Sequence, residues 1–384
     1  MYLPKHLRYF TSSVNREVKE IYEYSLVYTL ALSLVFIFEP IYLWSLNYSL
    51  IDILLFYLQI YVWYAVLISV GARFASRFGY KHSLLVSNVF YVLYWLALFS
   101  IKSHPMLFFA APVIFALQKS WLWPAYDADM SLNSGGRQQG RETGALISMI
   151  QMVFVIGPFL GGAVVAGLGF KFLFGLSAAL MLLSAYPLFK SPEIYSRHEF
   201  RFKNAWRIFR QNTSNFFGYW GYAEDLMLQS LWPVYMFAVI PNFVDVGTVS
   251  TIAALVGSVV MLYVGRLGDK QDKKEIILKS SVFYGVTWVL RFLAIDVPGV
   301  VLFETLTKTG KAATDVSMRS LTFEKGAGRG PDYAIAYNVF YEFSLAIGKI
   351  VTCLAAIAIL AFTGNVYLVF ALAGILTMFY GFLK

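Results

Sequence analysis

Glu304, Lys308, Lys311, Asp315 and Arg319 stand at steps of four, three, four and four residues in one otherwise apolar run. That spacing aligns all five along one face of a helix. Glu304–Lys308 and Lys311–Asp315 are i,i+4 pairs of opposite charge, so partial neutralisation is built in. Glu342 and Lys349, seven apart, share a face of the next run, and Glu39, Lys119, Glu224, Asp225 and Arg291 stand in others. A charge in such a run costs about 2.5–3.5 kcal/mol on insertion scales and faces a cavity or a partner. Two kinds of chemistry follow. An acid in apolar surroundings, Asp225 or Glu342, can load and release a proton near neutral pH. Two ammonium groups on one face, Lys308 and Lys311, can hold an anionic or zwitterionic group. Glu39, Lys119, Asp225, Lys308, Lys311, Asp315 and Lys349 are the candidate cavity lining, with a structural ion-pair network as the alternative for any one of them.

These charges need a scaffold, and the composition suits a bilayer. Of 384 residues, 59% are hydrophobic, 18% aromatic and only 14% charged. Mean hydropathy is +0.63, whereas soluble chains run about 45–50% apolar and about 25% charged. A single soluble domain, a disordered chain and a disulfide scaffold are excluded. Cys353 alone makes no internal disulfide or thiolate cage, and four His leave no polyhistidine centre. No metal and no cofactor is expected. Apolar windows of about 20 residues, enough to cross ~30 Å of hydrocarbon, recur at 22–44, 51–72, 83–101, 106–125, 143–166, 169–189, 215–240, 244–264, 276–296, 298–318, 334–361 and 364–383. The expected fold is an all-α membrane protein of twelve transmembrane helices in two six-helix pseudo-repeats. The longest polar stretch divides it into a bundle at 1–190, a basic linker at 191–213 and a second bundle at 214–384. The N-terminal segment has no short apolar core with a cleavage site, so 22–44 reads as a span and not a signal peptide.

Of the 31 Lys and Arg, only Lys102 and Lys171 fall in connectors of one side, while those of the other side are densely basic. Basic residues stay cytoplasmic during insertion, so both termini are expected in the cytoplasm of a cell-membrane protein. The +9 net charge is thereby a matter of topology and needs no nucleic acid; the linker can also touch anionic lipid.

The halves repeat at an offset of 193. Pro40 and Tyr42 map onto Pro233 and Tyr235, Arg73, Arg77 and Lys81 onto Arg266, Lys270 and Lys274, and Tyr91 and Trp95 onto Tyr284 and Trp288. Duplicated bundles joined by a basic linker are the architecture of transporters whose halves rock about a midplane site.

Two connectors carry a resemblance. Gly265, Arg266, Leu267, Gly268, Asp269, Lys270 through Lys274 is similar to the signature loop of the major facilitator superfamily, and Arg73, Arg77, Gly79 and Lys81 form a first copy with Ser76 in the Asp position. A second stretch resembles the twelve-span drug:proton antiporter branch. It runs from Pro124, Ala125, Tyr126, Asp127, Ala128 and Asp129 through Arg137, Arg141 and Gly144 to Gly157, Pro158, Gly161 and Gly162. That branch usually has a basic residue where Ala110 stands and a glycine where Val153 stands. The resemblance implies a central cavity lined by spans one, four, seven and ten. It also implies cytoplasmic gate loops at Arg73, Arg77, Gly79, Lys81, Asp129, Gly265, Arg266, Asp269 and Lys270, and a helix bend at Gly157, Pro158, Gly161 and Gly162. Pro158 removes a helix hydrogen bond, and the glycines allow a facing helix to approach. Trp121, Trp123 and Tyr126 are candidates for the cavity wall or gate.

The implied activity is secondary active transport of a small organic solute by alternating access, as proton-coupled export by a monomeric antiporter. Uptake of a polar or anionic metabolite is the alternative, and a non-transporting receptor or scaffold a further one. Protons or another ion would couple the cycle. An enzyme is not expected: no HExxH run, Gly-x-Ser-x-Gly elbow or Walker A loop is present.

Overall fold

The computed structural model describes residues 16–133, 139–190, 199–268, 272–327 and 329–384, and no strand occurs among them. The helices are α1 (Arg16–Val35), α2 (Phe38–Ser45), α3 (Leu50–Phe78), α4 (Tyr80–Ser100), α5 (Leu107–Asn133), α6 (Gln139–Leu168), α7 (Phe170–Ser184) and α8 (Phe202–Gln211). There follow α9 (Thr213–Gly218), α10 (Asp225–Gln229), α11 (Leu231–Val239), α12 (Phe243–Gly268), α13 (Lys273–Val289), α14 (Val297–Ala327), α15 (Pro331–Thr363) and α16 (Val366–Leu376).

Local chemistry sets several boundaries. Ser49 caps α3, accepting from the Asp52 N–H while the Asp52 side chain takes the Ser49 N–H in return. Gly79, at φ 103°, closes α3 and opens α4 in a conformation that a side chain would oppose. Pro40 has no N–H for the carbonyl of Phe36, and Pro233 none for that of Gln229. The helices accordingly break there: α1 stops at Val35 and α10 at Gln229.

Among the described residues, seven helical stretches are long and apolar enough to cross a membrane: Tyr22–Ser45, Leu50–Phe78, Tyr80–Ser100, Phe170–Leu188, Phe243–Val264, Lys273–Leu293 and Pro331–Thr363. Two shorter apolar helices are Met152–Leu168 and Val366–Phe382. The twelve windows are thus not twelve uniform helices. Window 215–240 is α9, a 3-10 segment (Tyr219–Glu224), α10 and α11 in succession. Gly218 and Gly221 set this path, because a Cβ on either would run into Leu383 or Tyr380 of the closing segment. Window 298–318 lies within α14, whose charges lower its hydropathy.

Large apolar side chains are exposed along these helices, among them Val62, Val66, Leu96, Phe109, Val259 and Val282, while Glu39, Asp225, Arg291, Glu304, Glu342 and Lys349 are buried. Apolar outside and charged inside is the pattern of a chain bathed in lipid. α3 and α12 begin 193 residues apart, and so do α4 and α13. Packing follows the same correspondence: α3 lies on α4-bound α5 and on α15, and α12 lies on α13-bound α14 and on α6.

Candidate functional site

The helix break after α9 brings Tyr222, Glu224 and Asp225 into the centre of the molecule. Lys311 of α14 reaches Asp225 Oδ1 at 3.1 Å, Glu224 Oε1 at 3.4 Å and Asp315 Oδ2 at 3.5 Å, and stands 4.1 Å from the Tyr222 ring centre. Lys349 of α15 donates to Asp225 Oδ2 at 2.9 Å and to the Tyr61 hydroxyl of α3 at 3.2 Å. Tyr61 in turn donates to Gln229 Oε1 at 2.9 Å, and Gln229 Nε2 donates back to Asp225. Tyr61, Gln229, Asp225 and Lys349 therefore form a closed ring of hydrogen bonds. It ties a helix preceding α8 to two elements following it.

Glu342, on the same helix as Lys349, accepts the Tyr64 hydroxyl at 2.9 Å and faces Asp127 of α5. Arg319 lies in the field of Asp127 and 5.8 Å from the Trp123 ring centre. Around this pair of carboxyls stand Tyr61, Tyr64, Tyr126 and Tyr341, the Arg319 guanidinium and the Lys119 ammonium.

Beside the ring lies a cavity of about 80 Å³, walled by Tyr28, Tyr57, Tyr91, Phe115 and Trp123. Its polar members are Glu39, Gln118, Lys119 and Gln229. Glu39 has both oxygens engaged, accepting Trp95 Nε1 at 2.7 Å and the Tyr94 hydroxyl at 3.1 Å. Lys119 stands among four rings, Tyr61, Tyr64, Phe115 and Trp123, at 5.5–5.7 Å from their centres.

Lys308 does not join this group. It pairs with Glu304 at 3.7 Å, which also takes Trp232 Nε1 at 2.7 Å and lies 3.7 Å from Arg291. The Arg291 guanidinium is sandwiched 3.7 Å from the Trp232 ring centre and 3.6 Å from that of Trp288. The five charges of the Glu304–Arg319 stripe thus divide between two clusters.

The glycines expected at a helix bend lie within continuous α6 and make backbone-close contacts. A Cβ on Gly157 would strike Ser33 of α1, one on Gly161 the Leu34 carbonyl, and one on Gly162 the Phe243 carbonyl of α12. Of the loop residues, Arg73 and Arg77 are exposed, Arg77 lies 5.3 Å from the Phe78 ring centre, and Lys81 is buried against Glu20 at 2.9 Å. Asp129 is half-buried near the end of α5. Lys273 pairs with Glu324 of α14. Ser76 donates to the Arg73 carbonyl at 3.0 Å and accepts the Phe200 N–H at 3.3 Å. Arg137, Asp269 and Lys270 lie outside the described residues, and for Arg141, Gly144, Gly265 and Arg266 only the helical backbone is described.

Comparison with protein-family models matches residues 24–307 to the Major Facilitator Superfamily. The chain belongs to the major facilitator superfamily. A comparison with curated protein sequences finds no significant match. As a superfamily member it is a multi-pass membrane transporter of a small-molecule substrate, in a family that is generally non-enzymatic.

Several residues of this transporter's centre were not singled out by sequence reasoning. Tyr57, Tyr61 and Tyr64 recur at helical steps of four and three on α3, a stripe hidden in a chain with 26 Tyr. Gln229 is uncharged and carries no such signal. Trp123 lines the cavity, whereas Trp121 packs against Phe74 and Phe90.

Proposed function

We propose that the chain is a proton-coupled secondary transporter of a small organic solute, working by alternating access between two six-helix pseudo-repeats, 1–190 and 214–384, joined by the linker at 191–213. Twelve spans, cytoplasmic termini in the cell membrane and a monomeric state complete the reading. The observation that carries it is the ring of Tyr61, Gln229, Asp225 and Lys349. A buried polar circuit across the two repeats can be remade in another register when one repeat rocks on the other, which a static scaffold does not need.

Within this reading Glu342 is the proton carrier. Asp225 is held by Lys311, Lys349 and Gln229 at once, so its charge is matched in place. Glu342 has a neutral hydroxyl from α3 and another carboxyl opposite it. Two facing carboxyls share a site readily only when one is protonated. Export in exchange for protons is supported by the stretch Gly157, Pro158, Gly161 and Gly162, whose glycines seat α6 against both α1 and α12.

Proton release from purified protein in weakly buffered detergent tests the coupling, with tetraphenylphosphonium, glucose and benzoate as probes. Release by one of them, lost in Glu342→Gln, is expected. Release unchanged in Glu342→Gln removes that residue from the role. Counterflow of a probe without any proton movement leaves a transporter but removes proton coupling.

A further inference from the structure

We infer that Lys119 is the anion anchor of the substrate site and that the solute carried is a single-ring aromatic monocarboxylate; this rests on the transport reading above and names its substrate class. Of the intramembrane lysines, Lys308, Lys311 and Lys349 each have a carboxylate within ion-pair distance. Lys119 has none among the described residues and is surrounded by ring faces instead. Rings attract an ammonium but do not replace a counter-ion in a water-poor interior.

The carboxylates whose field reaches Lys119 are Glu39, Asp225 and Glu342, and Lys349 opposes them. Each of the three is engaged elsewhere: Glu39 by Trp95 and Tyr94, Asp225 by Lys311 and Lys349, Glu342 by Tyr64. The missing negative charge is therefore to be brought by the solute, and Lys119 borders the cavity that would receive it. The walls select the rest of the molecule. Tyr28, Tyr57, Tyr91, Phe115 and Trp123 are flat apolar faces suited to a ring, and about 80 Å³ of space leaves no room for a second ring. Glu39 on the same cavity would repel a second carboxylate.

Binding to the purified full-length protein is measured by calorimetry with benzoate, phthalate, benzyl alcohol and benzylamine. Benzoate is expected to bind at least about tenfold more tightly than the other three, the scale of one charge-assisted contact. Lys119→Gln should lose about tenfold for benzoate, while Lys119→Arg, which keeps the charge, restores most of it. Equal binding of benzyl alcohol or benzylamine, no binding of any of the four, or unchanged benzoate affinity in Lys119→Gln would overturn the assignment. Should Lys119→Gln fail to fold, the four-probe ranking on the wild type decides. Counterflow in vesicles separates the two readings. Benzylamine that binds and exchanges keeps the transporter and sinks the anion site; benzoate that binds by way of Lys119 without exchanging keeps the site and sinks transport.

Discussion

Asp225 Oδ2 and Lys349 Nζ meet at 2.9 Å with both side chains almost wholly buried. Lys311 takes the other oxygen of the same carboxylate at 3.1 Å, so one acid serves two ammonium groups on two helices.

Removing that acid should be costly. Asp225→Asn leaves the buried Lys349 ammonium without its carboxylate, while Lys311 keeps Glu224 and Asp315, and breaking a buried pair from one side costs about 3–5 kcal/mol. A marked fall in the detergent unfolding temperature is expected. Adding Lys349→Gln to Asp225→Asn should cost much less than the two single changes summed, because the charge left over is partly removed. Additive losses would mean that the pair carries no coupling.

The contact between α6 and α12 is set by hydrogen atoms where side chains would be. Alanine at Gly162 would press on the Phe243 carbonyl, and alanine at Gly247 on the Pro158 carbonyl. Each change should destabilise by about 1–3 kcal/mol, as overpacking does. Gly167 and Gly175 have nothing within 4 Å of an added Cβ, so alanine there should be neutral or raise stability through helix propensity. Thermal unfolding of the four variants checks the ranking.

Arg291 has no surface exposure, and its faces are covered by Trp232 and Trp288. Arg291→Lys keeps the charge but loses the flat guanidinium that stacks between two rings. A loss of about 2 kcal/mol or more is expected, the size of a desolvated cation–π contact. Glu304→Gln should be at least as harmful, since Glu304 is the carboxylate paired with that guanidinium. Wild-type unfolding temperature in Arg291→Lys would show that only the charge matters.

Much of this was legible because charges are rare in apolar sequence. The α14 stripe from Glu304 to Arg319 announces an inward face by spacing alone, and its two i,i+4 pairs form at 3.7 and 3.5 Å. Its division between two clusters was not legible, since it depends on Arg291 and Asp225 arriving from other helices. One apolar window covers α10 and α11 because Leu226, Met227 and Leu228 continue into the apolar α11, although Pro233 marks the break as Pro40 does between α1 and α2. The tyrosines escaped for a different reason. A hydroxyl on an apolar ring reads as membrane-interface belt until its partner is known, and the partners of Tyr61 and Tyr64 lie 168 and 278 residues away.

Cys353 gives a direct probe of the α3–α15 contact. Its thiol is fully buried and donates to the Leu54 carbonyl at 3.0 Å. It is the single cysteine of the chain, so labelling needs no engineered background. A membrane-permeant maleimide should react slowly with the wild type, because a buried thiol without access is inert. Tyr61→Phe with Tyr64→Phe removes the hydroxyls by which α3 meets Lys349 and Glu342 on α15. If those hydroxyls hold the interface closed, each net hydrogen bond contributes about 1 kcal/mol. The opened fraction, and with it the labelling rate, should then rise by about tenfold or more. An unchanged rate in the double variant would mean that side-chain packing alone holds α3 against α15.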